Sequence, residues 1–139
     1  MARTLVNERL AAAISAHDIE AFVGSFHPDY RSEQPAHPDR AFGGQEQVRA
    51  NWSAIFAGVP DVRGELIRGV ATDGEEWGEW RIHGTRTDGS AMDMRGVIIN
   101  GIRDDRIVWA RLYLELVEPE GAGITAAVQQ ISGQGGASS

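Results

Sequence analysis

Arg111, Tyr113 and Glu115 alternate with Leu112, Leu114 and Leu116 in the stretch WARLYLELVEP. A strand repeats every two residues, so the polar set lies on one face and the leucines on the other. Turned inward, an arginine, a phenol and a carboxylate form a catalytic ladder. Turned outward, they leave a greasy interior with little chemistry in it. The other reactive side chains narrow the choice. The chain has no cysteine, which excludes thiol nucleophiles, disulfides and thiolate metal sites. It has no lysine either, which excludes Schiff-base chemistry and a lysine base. His17, His27, His37 and His83 show no H-x-x-x-H or comparable spacing, so no metal is expected. There is no G-x-S-x-G, no phosphate-binding glycine loop and no dinucleotide fingerprint, so no cofactor is expected.

A chain of 139 residues is long enough for one domain with a real core. Its net charge of -7 comes without a block of like charge, so neither a nucleic-acid nor a membrane partner is expected. MARTLVNERL lacks a long apolar run, and no stretch approaches about 18 apolar residues; a cytoplasmic location is the default expectation.

These residues must be positioned by elements whose signals change midway along the chain. Leu5, Val6, Arg9, Leu10, Ala13 and Ile14 recur at helical spacing over about 3–16. Asp18 is a fitting N-cap for a second helix bearing Ile19, Phe22, Val23 and Phe26, which Pro28 stops. Tyr30 to Gln34 reads as a short strand and PAHPDRAFGG as a loop. A third helix runs from Gln45 to Ala57 with Val48, Trp52, Ile55 and Phe56 in a stripe. From Val62 the period becomes 2, in segments 62–72, 75–87, 90–103 and 106–117 broken at Asp73-Gly74, Asp88-Gly89 and Asp104-Asp105. Asp-Gly between alternating runs predicts hairpins, hence an antiparallel meander. Helices followed by a meander predict an α+β fold with helices packed on one sheet face. The expected organisation is a single domain over 1–118, an extension with a short helix over 119–132, and a flexible tail over 133–139.

Three of the strands offer one apolar and one polar face. Trp80 and Ile82 oppose Glu79, Arg81 and His83; Met92, Met94 and Ile98 oppose Asp93 and Arg95; the last strand repeats the pattern. Burying a leucine or isoleucine gains roughly 1.5–3 kcal/mol, whereas an unpaired buried charge costs far more. The apolar faces should therefore meet the helices. A pocket lined by Trp80, Ile82, Met92, Met94, Ile98, Leu112 and Leu114, with Trp52 and Phe56 as aromatic walls, predicts a small, apolar, fairly flat ligand. Glu79, Arg81, His83, Arg111, Tyr113 and Glu115 then form a salt-bridged outer face or a homodimer interface. The alternative is that this ladder lines the pocket.

The order of elements, with AHDIEAF, FHPDY, FGGQEQVRANWSAIFAGVPDV, EWRIHGTRTDG and IRDDRIVWARLYLE, resembles the nuclear transport factor 2-like superfamily over residues 5–117. It is most similar to the SnoaL-like polyketide cyclase and ketosteroid isomerase-like branch. The resemblance implies a cone, or cystatin-like roll, in which a curved antiparallel sheet wraps the N-terminal helices around a pocket. It also implies a homodimer formed through the outer sheet face. In the isomerases a hydrogen-bonding tyrosine matches Leu10 here, and the oxyanion-binding acid falls near Ile98. The aspartate of the cyclases and epoxide hydrolases falls at Leu112, and the hydrolases' Arg-x-Asp pair near Trp80 and Ile82. The isomerase general base maps to Glu33-Gln34-Pro35. Glu33 is thus the candidate base at the pocket mouth, where desolvation raises a carboxyl pKa. Gln34 takes its place if the strand parity differs by one. His37 is the candidate proton shuttle on a closing loop, and Tyr30 a pocket hydrogen-bonding group. Two functions follow: a cofactor-independent cyclase, isomerase or hydrolase acting on a hydrophobic metabolite, or a non-catalytic binding or dimerisation module without the family's catalytic groups.

Overall fold

The computed structural model describes residues 5–134. Positions 3 and 4 of the first predicted helix, and positions 135–139 of the predicted tail, lie outside them. Helix α1 (Val6–Ala16) buries Val6, Leu10, Ala13 and Ile14, the stripe set by the helical period. It stops where His17 adopts a left-handed conformation (φ 54°), with Nε2 placed 2.8 Å from the Val62 carbonyl oxygen. The Asp18 carboxylate then accepts the Ala21 N–H at 3.0 Å and starts helix α2 (Ile19–Gly24). Phe26 is not part of that helix. It opens strand β1 (Phe26–Glu33), whose pairing is irregular between Phe26 and Arg31 around Pro28, a residue without an N–H to pair. The loop that follows holds a single 3-10 turn (Pro38–Arg40) and the two-residue strand β2 (Phe42–Gly43) before helix α3 (Gln45–Gly58).

Strands β3 (Arg63–Thr72), β4 (Glu75–Thr85), β5 (Ala91–Arg103) and β6 (Arg106–Leu116) form the meander. Gly74 and Gly89 supply positive φ at the first two turns, and Asp104 and Asp105 both adopt it at the third (53° and 62°), as a two-residue hairpin requires. The sheet runs β2-β1-β6-β5-β4-β3. Every neighbouring pair is antiparallel except β1 and β6, which run parallel. The expected all-antiparallel sheet is therefore mixed: the first strand joins the last across the whole helix-and-meander segment, the long connection that parallel neighbours need.

The helices cover one face of this curved sheet, and the core between them holds Phe22, Val48, Val62, Trp80, Ile82 and Ile107. Glu76 fixes the position of α1. It sits on the same strand face as Trp80 and Ile82, is buried, and its carboxylate accepts the Val6 N–H at 2.8 Å and the Asn7 N–H at 2.9 Å. Leu5, at the helix start, contributes no side-chain cap, so Glu76 supplies the cap from 70 residues away. Helix α4 (Ile124–Ser132) follows the sheet, with Ile124, Val128 and Ile131 exposed. Among the described residues, no helix is long and apolar enough to cross a membrane.

Candidate binding cavity

Between the helices and the sheet lies a cavity of about 320 Å³. Its walls come from α1 (Leu10, Ile14), α2 (Phe22), α3 (Val48, Trp52, Ile55) and the inner faces of β4, β5 and β6. On β6 the inward residues are Ala110, Leu112 and Leu114; on β4, Trp80 and Ile82; on β5, Met94, Ile98 and Asn100. Aromatic rings pack edge and tilt around one side: Phe22 and Trp52 centroids are 4.5 Å apart, Phe26 and Tyr30 4.7 Å.

β1 decides which polar groups reach the cavity. From Tyr30 its residues alternate buried and exposed, so Tyr30, Ser32 and then Gln34 face in. Glu33 faces out, where its carboxylate lies 3.6 Å from Arg111 Nη1. The structure thus does not bring the expected base to the cavity; parity gives that place to Gln34. His37 is also turned away. The loop carrying it is clipped to the outer face of β6, with His37 Nε2 2.7 Å from Glu115 Oε1. Phe56, one turn beyond Trp52, packs on His17 and Trp52 (5.4 and 5.8 Å) instead of lining the cavity. Met92 is buried opposite Gly84, two residues past the cavity's edge at Met94. Leu116 shares the parity of Leu112 but is exposed.

The periodicity gives no hint of Ser32 and Arg40 as cavity residues, and it marks Asn100 only as a polar residue on an apolar parity. Asn100 is 1% exposed and donates an amide N–H to Asn7 Oδ1 at 2.7 Å. Arg40, in the 3-10 turn, donates to Gln34 Oε1 at 3.0 Å and is the one charged residue of the lining among the described residues. No Asp, Glu or His lines the cavity. The Tyr30 phenol is pushed up to about 12 by burial, with the nearby Ser32 hydroxyl acting weakly the other way, so it stays protonated at neutral pH. Two buried donors, Asn7 Nδ2 and Trp80 Nε1, find no partner among the described residues. Likewise among the described residues, no cluster of three or more His, Asp or Glu is placed to hold a metal ion.

The outer sheet face carries the polar ladder as a set of ion pairs. Arg68–Glu79 (3.0 Å), Arg81–Asp93 (3.3 Å) and His83–Glu65 (2.9 Å) link adjacent strands. The hydrogen bond from His83 holds the Glu65 carboxyl below its usual range. Trp77, Val97 and Tyr113 lie exposed among these pairs.

The sequence profile of the SnoaL-like domain matches residues 7–110. No curated protein sequence matches the chain. Among solved structures, the chain is similar to IdmH, a proposed polyketide cyclase from Streptomyces antibioticus, at 20% identity and a TM-score of 0.67, covering 79% of this chain and 89% of that one. It resembles equally RV0760c from Mycobacterium tuberculosis in complex with estradiol-17beta-hemisuccinate (18% identity, TM-score 0.67, covering 78% and 89%). A protein of ketosteroid isomerase-like fold from Catenulispora acidiphila in complex with trimethylamine also matches (17% identity, TM-score 0.64, covering 78% and 85%). At these identities the likeness is one of fold.

Proposed function

The chain belongs to the SnoaL-like domain family, and we propose that it is a binder of a small hydrophobic metabolite that lacks a general base for the cyclase or isomerase reaction. One observation carries this reading: the lining of the 320 Å³ cavity contains no carboxylate and no imidazole. A proton-transferring enzyme of this shape needs a base within hydrogen-bond reach of the reacting carbon. Position 112, where the resemblance expects an aspartate, holds a leucine, and Glu33 is committed to Arg111 on the opposite face. The remaining wall suits an apolar body gripped by aromatic and aliphatic side chains. The ligands named for the related structures, a steroid ester and trimethylamine, support a small-molecule partner. The outer face, with Tyr113 at 42% exposure beside Arg111, is read as a homodimer interface, since exposed tyrosine and arginine serve as anchors there.

The test is binding of N-phenylnaphthylamine, a neutral apolar probe, followed by its fluorescence. The parent protein should bind it, and Leu112→Trp, whose indole fills the cavity, should lose it while keeping the far-ultraviolet dichroism of the fold. Equal binding by both proteins would place the probe elsewhere and remove the cavity reading. Native mass spectrometry of the freshly purified chain should reveal a retained small molecule, and any substrate-like turnover should survive Glu33→Gln.

A further inference from the structure

The apolar wall of the cavity is interrupted at one row. Ser32 on β1 and Asn100 on β5 are both paired with Ala110 on β6, one on each side of it. Neighbouring strands are about 4.8 Å apart, so the two polar residues stand roughly 10 Å apart across the sheet. Only a methyl group lies between them. Tyr30, two residues before Ser32, lies on the same face. The three are 4% (Tyr30), 3% (Ser32) and 1% (Asn100) exposed, and Ser32 lies within hydrogen-bonding reach of Tyr30. Tyr30 and Ser32 offer hydroxyl donors. Asn100 uses one amide N–H on Asn7, and no described group donates to its Oδ1. One ligand atom cannot bridge roughly 10 Å, so the two sides of the row are separate. On the Tyr30–Ser32 side each hydroxyl can both donate and accept, and a ligand hydroxyl matches both roles.

The mouth carries a second feature. Arg49, Arg68, Arg81 and Arg111 each pair with a carboxylate. Arg40 has none among the described residues: its guanidinium donates to the neutral Gln34 amide, although the fork holds five donors. Arg31, Arg63, Arg86 and Arg106 likewise have no carboxylate ion pair among the described residues, but of these five only Arg40 lines the cavity, where an anion can reach it. The planar fork matches a carboxylate bidentately. A doubly charged phosphate would call for a second cation, which is not found among the described residues of the lining. Gln34 lies two residues beyond Ser32 on the same face, a rise of about 7 Å, comparable to the length of two fused rings.

We propose that the ligand is a hydroxylated cyclic carboxylic acid: carboxylate at Arg40 and Gln34, ring system among Trp52, Trp80 and Leu112, hydroxyl at Tyr30 and Ser32. This rests on the cavity being the binding site, and the experiment separates the two claims. Calorimetric titration of the full chain compares a hydroxynaphthoic acid, its methyl ester, and naphthoic acid without the hydroxyl. The hydroxy acid should bind at least about tenfold more tightly than the ester, as a charge-assisted fork contact is strong. Arg40→Gln should abolish that preference, bringing the acid's affinity down to the level of the ester's in the same variant. Ser32→Ala should reduce the advantage of the hydroxy acid over naphthoic acid, about fivefold in the parent, towards unity. If ester and acid bind the parent equally, or Arg40→Gln keeps the preference, the carboxylate assignment is overturned while the cavity reading stands. If the hydroxyl confers no advantage, its assignment to the inner row is overturned. If none of the three binds, the cavity reading falls and this inference with it.

Discussion

Glu76→Ala removes the acceptor for two backbone donors at once, and the loss can be sized from the structure. The carboxylate takes the Val6 and Asn7 N–H groups at 2.8 and 2.9 Å in a buried setting. A buried donor left without a partner costs about 1–3 kcal/mol, and a lost helix cap about 0.5–2 kcal/mol. Because the vacated space lets water reach part of the helix end, the net loss should be about 3 kcal/mol, towards the middle of the combined range. For 139 residues the unfolding entropy is roughly 0.3 kcal/mol/K, so Tm should fall by roughly 10 °C. Glu76→Gln keeps one acceptor but turns an amide donor towards a backbone N–H, so its loss should be intermediate. Urea unfolding reads the effect as a lower midpoint at unchanged slope. Glu8→Ala, exposed on the same helix, is the control and should stay within about 0.5 kcal/mol. A loss for Glu76→Ala below about 1 kcal/mol would refute the assignment of this side chain as the helix cap. Because α1 carries Leu10 and Ile14, the same variant should also loosen one wall of the cavity.

Three further outcomes are expected. Tyr30 has a folded pKa of about 12 against 10 unfolded, so its contribution is full below pH 10 and is lost as pH rises towards 12, on the order of 2–3 kcal/mol; alkaline unfolding should shift to higher pH in Tyr30→Phe, and an unchanged profile would contradict the buried phenol. Asp61 accepts the Thr85 N–H at 2.6 Å, and that bond lowers its carboxyl pKa; its stabilisation is present above the unfolded value of 3.8 and lost as pH falls below it, so the Tm gap to Asp61→Asn should close in acid and open at pH 7. Arg111→Ala combined with Tyr113→Ala should weaken self-association in sedimentation velocity, and an unchanged species distribution would remove the outer face as the dimer interface.

Much of the fold was legible because its punctuation is chemical. Asp73-Gly74 and Asp88-Gly89 can turn where few other pairs can, which places the strand ends within a residue or two. Leu112 and Leu114 announce their face by alternation. β1 was not legible in this way. Phe26 and Tyr30 are four apart, Pro28 breaks the register, and after it the inward positions are Tyr30, Ser32 and Gln34, two of them plainly polar. Nothing in that string ranks Gln34 over Glu33 as the inward residue, and the partner that holds Glu33 outside, Arg111, comes from a strand far along the chain. Asn100 and Glu76 left a fainter trace. Each is the polar residue on an otherwise apolar parity, Asn100 after Met94 and Ile98, Glu76 before Trp80 and Ile82. A polar side chain that interrupts an apolar face in this way marks a buried partner, here Asn7 for one and the start of α1 for the other.

The parallel seam between β1 and β6 also governs when the cavity can exist. Ile107, Ala110, Leu112 and Leu114 all reside on the final strand, and the row that joins Ser32 to Asn100 is held together only by Ala110. Until this strand is synthesised, a nascent chain has no partner for β1 on that edge and no enclosed space. A chain cut before residue 106 therefore lacks both the seam and the wall that Ile107, Ala110, Leu112 and Leu114 provide.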